Sequence, residues 1–184
     1  MKKNQLKIKY LVFQAKNEKD PEAFGKLYDM YVDQIFRFVR FKVDTDESAQ
    51  DITSDVFLKT WKYLQESKRK IENFNALIYR VSRNCIVDFY RKKSKDSIVT
   101  GSEHFEEIVA DRKSMVNDID KKIDLEQIEN KLKLLKEEYR EVIILKYIEG
   151  LTTAEISQIL DKTKSNVRVL IHRALKTLKD IFHD

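Results

Sequence analysis

Apolar residues recur at spacings of three and four along most of this chain, the period of a helix that buries one face. Phe24, Leu27, Tyr28, Tyr31, Ile35, Phe38 and Val39 form the longest such stripe. It opens at Asp20-Pro21-Glu22, an N-cap, a first-turn proline and a first-turn acid, which predicts a helix reaching about Val43. A second helix is predicted from Glu47 to Leu64, burying Ala49, Ile52, Val56, Phe57, Tyr63 and Leu64, with Trp61 at its margin. A third is predicted from near Asn73 to Lys93, with Phe74, Leu77, Ile78, Val81, Cys85 and Phe89 on one arc. Gln65 to Glu72 forms the short basic loop between them, and a weaker amphipathic segment, Leu6 to Ala15, packs ahead of all three.

Past Lys93 the period lapses. Ser94 to Asp111 is rich in Ser, Asp and Glu, contains Gly101, and predicts a flexible acidic linker. Periodicity resumes near Ile119 with Ile123, Ile128, Leu132 and Leu135, continues from Tyr139 to Ile148, and breaks at Gly150. Thr152 then caps a short helix to Leu160, Asp161-Lys162-Thr163 makes a turn, and a last helix runs from Lys164 to about Phe182, the layout of a helix-turn-helix. The expected fold is all-α: two small helical domains, residues 1–93 and 119–184, joined by a linker at 94–118.

Composition sharpens this. The 184 residues include 3 Gly and 1 Pro, where average usage would give about 22 in a chain of this length. Sheets need such residues at every reversal and helix interiors exclude them, so sandwiches, barrels and glycine-rich phosphate loops are disfavoured. A single cysteine makes no intramolecular disulfide. No apolar run reaches the ~20 residues of a membrane span, and Lys2, Lys3 and Lys7 interrupt what would be a signal core, so the expectation is a cytoplasmic protein without membrane insertion.

The +5 net charge is unevenly spread. Residues 1–93 hold 20 basic and 13 acidic side chains, residues 94–125 hold 5 and 8, and residues 126–184 hold 11 and 10. On the last helix Val167, Leu170, Ile171, Ala174, Leu175 and Leu178 make one apolar stripe, leaving Lys164, Ser165, Asn166, Arg168, Val169, His172, Arg173 and Lys176 outside it. Donors on the first turns with flanking cations suit base edges and phosphates of a major groove; a solvated face of an ordinary helix hairpin has the same pattern. On the third helix Arg80, Arg83, Asn84, Tyr90 and Arg91 lie opposite the apolar arc, followed by Lys92. Arginines interleaved with aromatics suit unpaired bases; the plainer alternative places Tyr79 and Tyr90 half-buried at a helix edge. On the second helix Asp51, Ser54, Asp55, Leu58 and Lys59 stand opposite the core arc, and a leucine ringed by acids is a candidate protein contact.

The three histidines lack metal-ligand spacing with Cys85, whose place on the apolar arc marks it as a core residue, and no nucleophile elbow, HExxH or phosphate loop occurs. Neither catalysis, nor a metal, nor a cofactor is expected.

The stretch Asp51-Ile52-Thr53-Ser54-Asp55-Val56-Phe57-Leu58-Lys59-Thr60-Trp61, with Tyr79-Arg80-Val81-Ser82-Arg83-Asn84 and Asp88-Phe89-Tyr90-Arg91-Lys92, resembles region two of bacterial sigma-70 family factors. Tyr139-Arg140-Glu141-Val142, Gly150-Leu151-Thr152, Ala154-Glu155-Ile156, Ser165-Asn166-Val167-Arg168 and His172-Arg173-Ala174-Leu175 resemble region four. Nothing similar to the third region stands between them, the plan of the small extracytoplasmic-function (ECF) group. The resemblance implies core RNA polymerase, through its largest-subunit clamp helices and flap region, promoter DNA and an anti-sigma factor as partners. It implies that Asp51, Ser54, Asp55, Leu58 and Lys59 dock on polymerase. Lys68, Arg69, Arg80, Arg83, Asn84, Tyr90, Arg91 and Lys92 would hold the melted minus-10 element, with Asn84 at a base-selecting position. Lys164, Ser165, Asn166, Arg168, Val169, His172, Arg173 and Lys176 would read the minus-35 duplex.

The family often has Gln where Ser54 stands, Trp for Leu77, Pro for Lys136 and Gly for Asp161. Asp tolerates a left-handed turn, so the helix-turn-helix survives the last change. Two other readings fit the same residues: a helix-turn-helix regulator that occupies its operator without polymerase, and a small recombinase or nuclease with a C-terminal reader.

Overall fold

Asp20 begins the first module's longest apolar stripe as the sequence predicts. Its Oδ1 accepts from the backbone N–H groups of Glu22 and Ala23 at 2.8 and 3.3 Å, ahead of Pro21. The structure is a computed structural model that describes residues 2–99 and 131–183. Its elements are helices: α1 (Lys2–Phe13), α2 (Pro21–Arg40), α3 (Asp46–Glu66), α4 (Phe74–Val99), α5 (Glu137–Ile143), α6 (Thr153–Leu160) and α7 (Lys164–His183). No strand occurs among the described residues.

In the first module α2, α3 and α4 pack around Leu27, Tyr31, Ile35, Phe38, Val56, Leu64 and Ile78, all of them buried. Rings lock the helices together: Phe24 with Trp61 at 4.9 Å between centroids, Tyr31 with Phe74 at 5.2 Å, and Phe38 with Tyr79 at 5.2 Å. Such tilted and edge-on pairs add to burial because ring edges meet ring faces. α1 continues through a wide π-helical turn, Gln14–Glu18, which ends at Lys19 in the left-handed region, φ 54°. Gln65 Nε2 donates to the Ala15 carbonyl at 2.8 Å, and Lys16 Nζ to the Ser67 carbonyl at 2.6 Å, tying α1 to the end of α3.

Three stripe positions differ from the sequence pattern. Tyr28, Tyr63 and Leu175 are 42%, 37% and 39% exposed, since helical period assigns a wider apolar arc than the neighbouring helices cover. Tyr28 still leans on Phe57, ring centroids 4.6 Å apart. α4 also runs past Lys93 to Val99, into residues the sequence pattern gives to the linker. Lys is a good helix former, Ser and Asp are mediocre ones but not breakers, and the first glycine after Lys93 is Gly101. The rest of the linker, and the expected start of the second module at Ile119, Ile123 and Ile128, lie outside the described residues.

The second module buries Val142, Ile144, Leu145, Ile156, Ile159, Val167 and Ala174 among α5, α6 and α7. α5 gives way to a π-helical turn, Ile144–Ile148, and Gly150 at φ 67° turns the chain back, a conformation a side chain would strain. Thr152 then forms a full capping box: Glu155 N–H donates to Thr152 Oγ1 at 3.2 Å, and Thr152 N–H to Glu155 Oε2 at 2.9 Å. Asp161 sits in the left-handed region, φ 52° and ψ 45°, and sharpens the turn into α7.

Thr152→Ala is expected to destabilise the second module by about 1 kcal/mol, whereas Asp161→Gly, which removes a Cβ from a left-handed position, should lower stability not at all. Thermal unfolding followed by circular dichroism checks both; an unchanged midpoint for Thr152→Ala would show the box to be dispensable.

Candidate polymerase and nucleic-acid interfaces

α7 is laid down so that its inner positions Val167, Leu170 and Ala174 meet α5 and α6. The same rotation turns Lys164, Ser165, Asn166, Arg168, Val169, His172, Arg173 and Lys176 outward, and all eight are exposed. Val169, at 49% exposure, puts an apolar tip among these donors, a group that suits a thymine methyl. This is a single continuous face beginning at the helix N-terminus.

The residues expected to hold a melted strand are spread differently. Lys68 and Arg69 are exposed in the loop before α4, where Ser67 Oγ accepts from the Arg69 N–H at 3.2 Å. Asn84, Arg91 and Lys92 are exposed along α4, and Arg91 Nη2 donates to Asp88 Oδ1 at 3.2 Å. At 1.5 Å per residue the rise from Phe74 to Arg91 is about 25 Å, so these groups form a track and not a cluster. Tyr90 Oη donates to the Lys42 carbonyl at 2.6 Å, which holds its ring against the end of α2. Tyr79, half-buried in one sequence reading, is 1% exposed.

On α3, Asp51, Ser54, Asp55 and Leu58 share an outward face, with Leu58 at 66% exposure. Ser54 Oγ donates to its own helix at the Gln50 carbonyl, 3.0 Å away. Lys59 leans to the α3–α4 seam and donates to Asp88 Oδ2 at 3.3 Å, so it is a less direct member of that face. Cys85 is buried in the seam, and burial pushes its thiol upward, as a core cysteine's should go.

Arg80 and Arg83 take a course that periodicity does not reveal, because both reach the second module. Arg80 Nη2 donates to the Gln158 carbonyl. Arg83 Nε donates to Glu141 Oε1 and Oε2 at 3.1 and 3.2 Å, and Lys42 Nζ reaches the same Oε1 at 2.9 Å. Lys42 and Glu141 side chains are each 5% exposed. Close by, Glu149 receives Arg37 in a two-pronged pair, 3.0 Å on each prong, and the Tyr79 hydroxyl at 2.8 Å. The Glu149 pair raises Arg37, chiefly through its hydrogen bond, while burial first and Glu149 second push the Tyr79 phenol far up. Asn75 Nδ2 donates to Glu155 Oε1 at 2.8 Å. Burial works to raise the Glu155 carboxyl, but hydrogen bonds from Thr152, Asn75 and Asn73 outweigh it and lower the group.

Glu137, Glu141, Glu149 and Glu155 are thus structural acids that the sequence reading leaves unassigned. A partial signal existed: residues 126–161 carry eight acids against five bases, next to a first module of opposite sign. Among the described residues no group of His, Cys, Asp and Glu could hold a metal ion, and no helix is long and apolar enough to cross a membrane.

A helix-turn-helix with an open polar recognition face, tied to a helical module that carries a basic track, defines a two-part DNA-binding factor. Comparison with known proteins gives the family. The Sigma-70 region 2 model matches residues 27–96, and the Sigma-70 region 4 model matches residues 125–178. The ECF RNA polymerase sigma factor SigW of Bacillus subtilis is 31% identical across 98% of this chain and 99% of that protein. The ECF sigma factor BldN of Streptomyces coelicolor is 24% identical across 90% of this chain, which spans 62% of that longer relative. Among solved structures, CnrH in complex with the cytosolic domain of CnrY shares the fold at a TM-score of 0.73, with 22% identity over 96% of this chain and 97% of that one. RpoE in complex with the anti-sigma factor NepR, from Bartonella quintana, shares it at 0.70, with 21% identity over 87% and 96%. The chain belongs to the sigma-70 family, among its ECF RNA polymerase sigma factors, and so to the proteins of promoter-specific transcription initiation.

Burial works to raise the Glu137 carboxyl, but the charge of and hydrogen bond from Lys42, with Arg140, hold it down at about 2 against an ordinary 4.5. A carboxyl lowered by folding contributes stability that is complete above its ordinary value and lost as pH falls through the lowered one. Glu137→Gln should therefore unfold at a lower temperature than the parent above pH 4.5, the gap closing as pH approaches 2. A gap that stays constant across that window would show that the charge of Glu137 plays no part.

Proposed function

We propose that this chain binds core RNA polymerase through the outward face of α3, holds the melted minus-10 strand along α4 and its preceding loop, and reads the minus-35 duplex with α7. The observation that carries the reading is that the apolar stripes of α3 and α7 are spent inside the protein except at the margins Tyr63 and Leu175, leaving Asp51, Asp55 and Leu58 exposed on one, and seven polar or basic positions with Val169 exposed on the other. An exposed leucine beside carboxylates suits a protein groove with a basic rim. Lys68, Arg69, Asn84, Arg91 and Lys92 would track phosphates, and Asn84, which accepts and donates, would select a base. Promoter opening follows from binding the separated strand better than the duplex, so the factor directs initiation without catalysing phosphoryl transfer. The solved structure of RpoE bound to the anti-sigma factor NepR supports an anti-sigma partner here, and a cytoplasmic setting follows from polymerase as partner.

Mapping transcript starts made by core polymerase with this protein on a pool of genomic fragments tests the whole reading; starts no more discrete than with core alone refute it. Leu58→Ala is expected to weaken core affinity about tenfold, or 1.4 kcal/mol, with promoter duplex contacts intact. Arg168→Ala should cost about 1–3 kcal/mol at one minus-35 position and relax base preference there. If Leu58→Ala leaves transcription at parental levels, α3 is not the polymerase face, and operator binding without polymerase becomes the better account.

A further inference from the structure

Helix α1 carries apolar side chains on two opposite sides. Ile8, Leu11, Val12 and Ala15 turn inward, against the core of the first module. Leu6, Tyr10 and Phe13 turn outward and are 67%, 62% and 54% exposed. At about 100° per residue these three fall within an arc of about 60° and extend over about 10 Å of helix, a continuous stripe that covers no part of the core. Core packing does not account for it, and the region 2 match at residues 27–96 leaves α1 outside.

The charges around the stripe are of one sign and one kind. Residues 1–17 contain five Lys and no Arg, Asp or Glu. Lys7 is exposed on one flank. Along the other flank, between α1 and the loop that precedes α4, runs a groove of about 650 Å³ lined by Lys9, Lys16, Lys68 and Lys70, with Phe13 on its wall and Glu72 as the acid among them. Lys16 Nζ uses one donor on the Ser67 carbonyl, 2.6 Å away, and keeps two for a ligand.

We propose that α1 docks this protein on the surface of an anionic lipid bilayer. Leu6, Tyr10 and Phe13 enter the boundary between headgroups and acyl chains, and the lysines beside them meet lipid phosphates. A helix lying in that plane needs an apolar strip with cations on both flanks, on stems long enough to keep the charge at headgroup level while the strip goes in. Docking of this kind lies on the bilayer and spans nothing. Nucleic acid is the other polyanion such a surface could meet, and the side-chain types favour lipid. The faces assigned to DNA present arginine forks and amides, Arg91 and Asn84 on α4, Arg168 and Asn166 on α7. Around α1 the cations are lysines, point charges without bidentate geometry, and Leu6, the most exposed of the stripe, has no ring to stack on a base.

In a flotation gradient at low ionic strength, the full chain should rise with vesicles of equal parts phosphatidylglycerol and phosphatidylcholine and stay behind with vesicles of phosphatidylcholine alone. Phe13→Ser is expected to raise the lipid concentration for half-binding about tenfold, and Leu6→Ser added to it should raise it further. Lys7→Gln with Lys9→Gln should raise it about fivefold per lysine removed, and added salt should weaken the parent in the same direction. All four positions are exposed, so unfolding midpoints should match the parent's; if a serine variant unfolds early, the lysine pair decides alone. The proposal is overturned if the parent does not float, if it floats equally with both kinds of vesicle, or if the folded variants float as the parent does. It is overturned equally if the serine variants lose affinity for a single-stranded oligonucleotide by the same factor as for lipid, which would give the stripe to nucleic acid.

Discussion

A carboxylate removed from water must be met by cations or hydrogen-bond donors, and the association of the two modules is built on that requirement. Glu141 and Glu149 have side chains 5% and 0% exposed. Neither would be tolerated there without Lys42, Arg83, Arg37 and the Tyr79 hydroxyl around it. Pairs of this kind contribute little net stability compared with apolar residues of the same size, yet removing one partner is costly because the other charge stays buried. They fix which surfaces meet, and in which register. The apolar cores on either side supply cohesion within each module, and the charges supply the address between them.

What the amino-acid order makes legible follows from range. Asp20, Thr152 and Asp161 act on backbone groups within a few positions, so their roles as caps and turn former read directly and appear in the structure as expected. The stripes of α2, α3 and α7 read well because a 3.6-residue period is local, and they fail only at margins such as Tyr28, Tyr63 and Leu175. The π-helical turns at 14–18 and 144–148 break that period without any glycine or proline, so no composition signal marks them. Glu141 and Glu149 are a different matter. On their own helix they look like solvated acids, and their partners lie 58 and 112 positions away.

The candidate sites divide along the same line. The outward faces of α3 and α7 are complements of local stripes, so the assignment of Leu58, Arg168 and their neighbours needs no tertiary information. The minus-10 set reads as one list in the sequence, but the fold separates it into an exposed loop, an engaged middle and an exposed far end. Side chains suited to phosphate are suited to carboxylate as well, which is why a basic face is also a docking face for an acidic one. The contacts of Arg80 and Arg83 with the second module use the same guanidinium chemistry that the proposed DNA contacts would use.

Cys85 carries a further consequence. It is the one cysteine in the chain, it is buried in the α3–α4 seam, and burial pushes its thiol up. At neutral pH the described surface therefore offers no ready thiolate. A cysteine placed on an outward position of either module would react alone, so paired fluorophores or spin labels can be installed without first deleting a native residue. The molecule is in effect prepared for direct measurement of the distance between its two halves, in solution and on the polymerase.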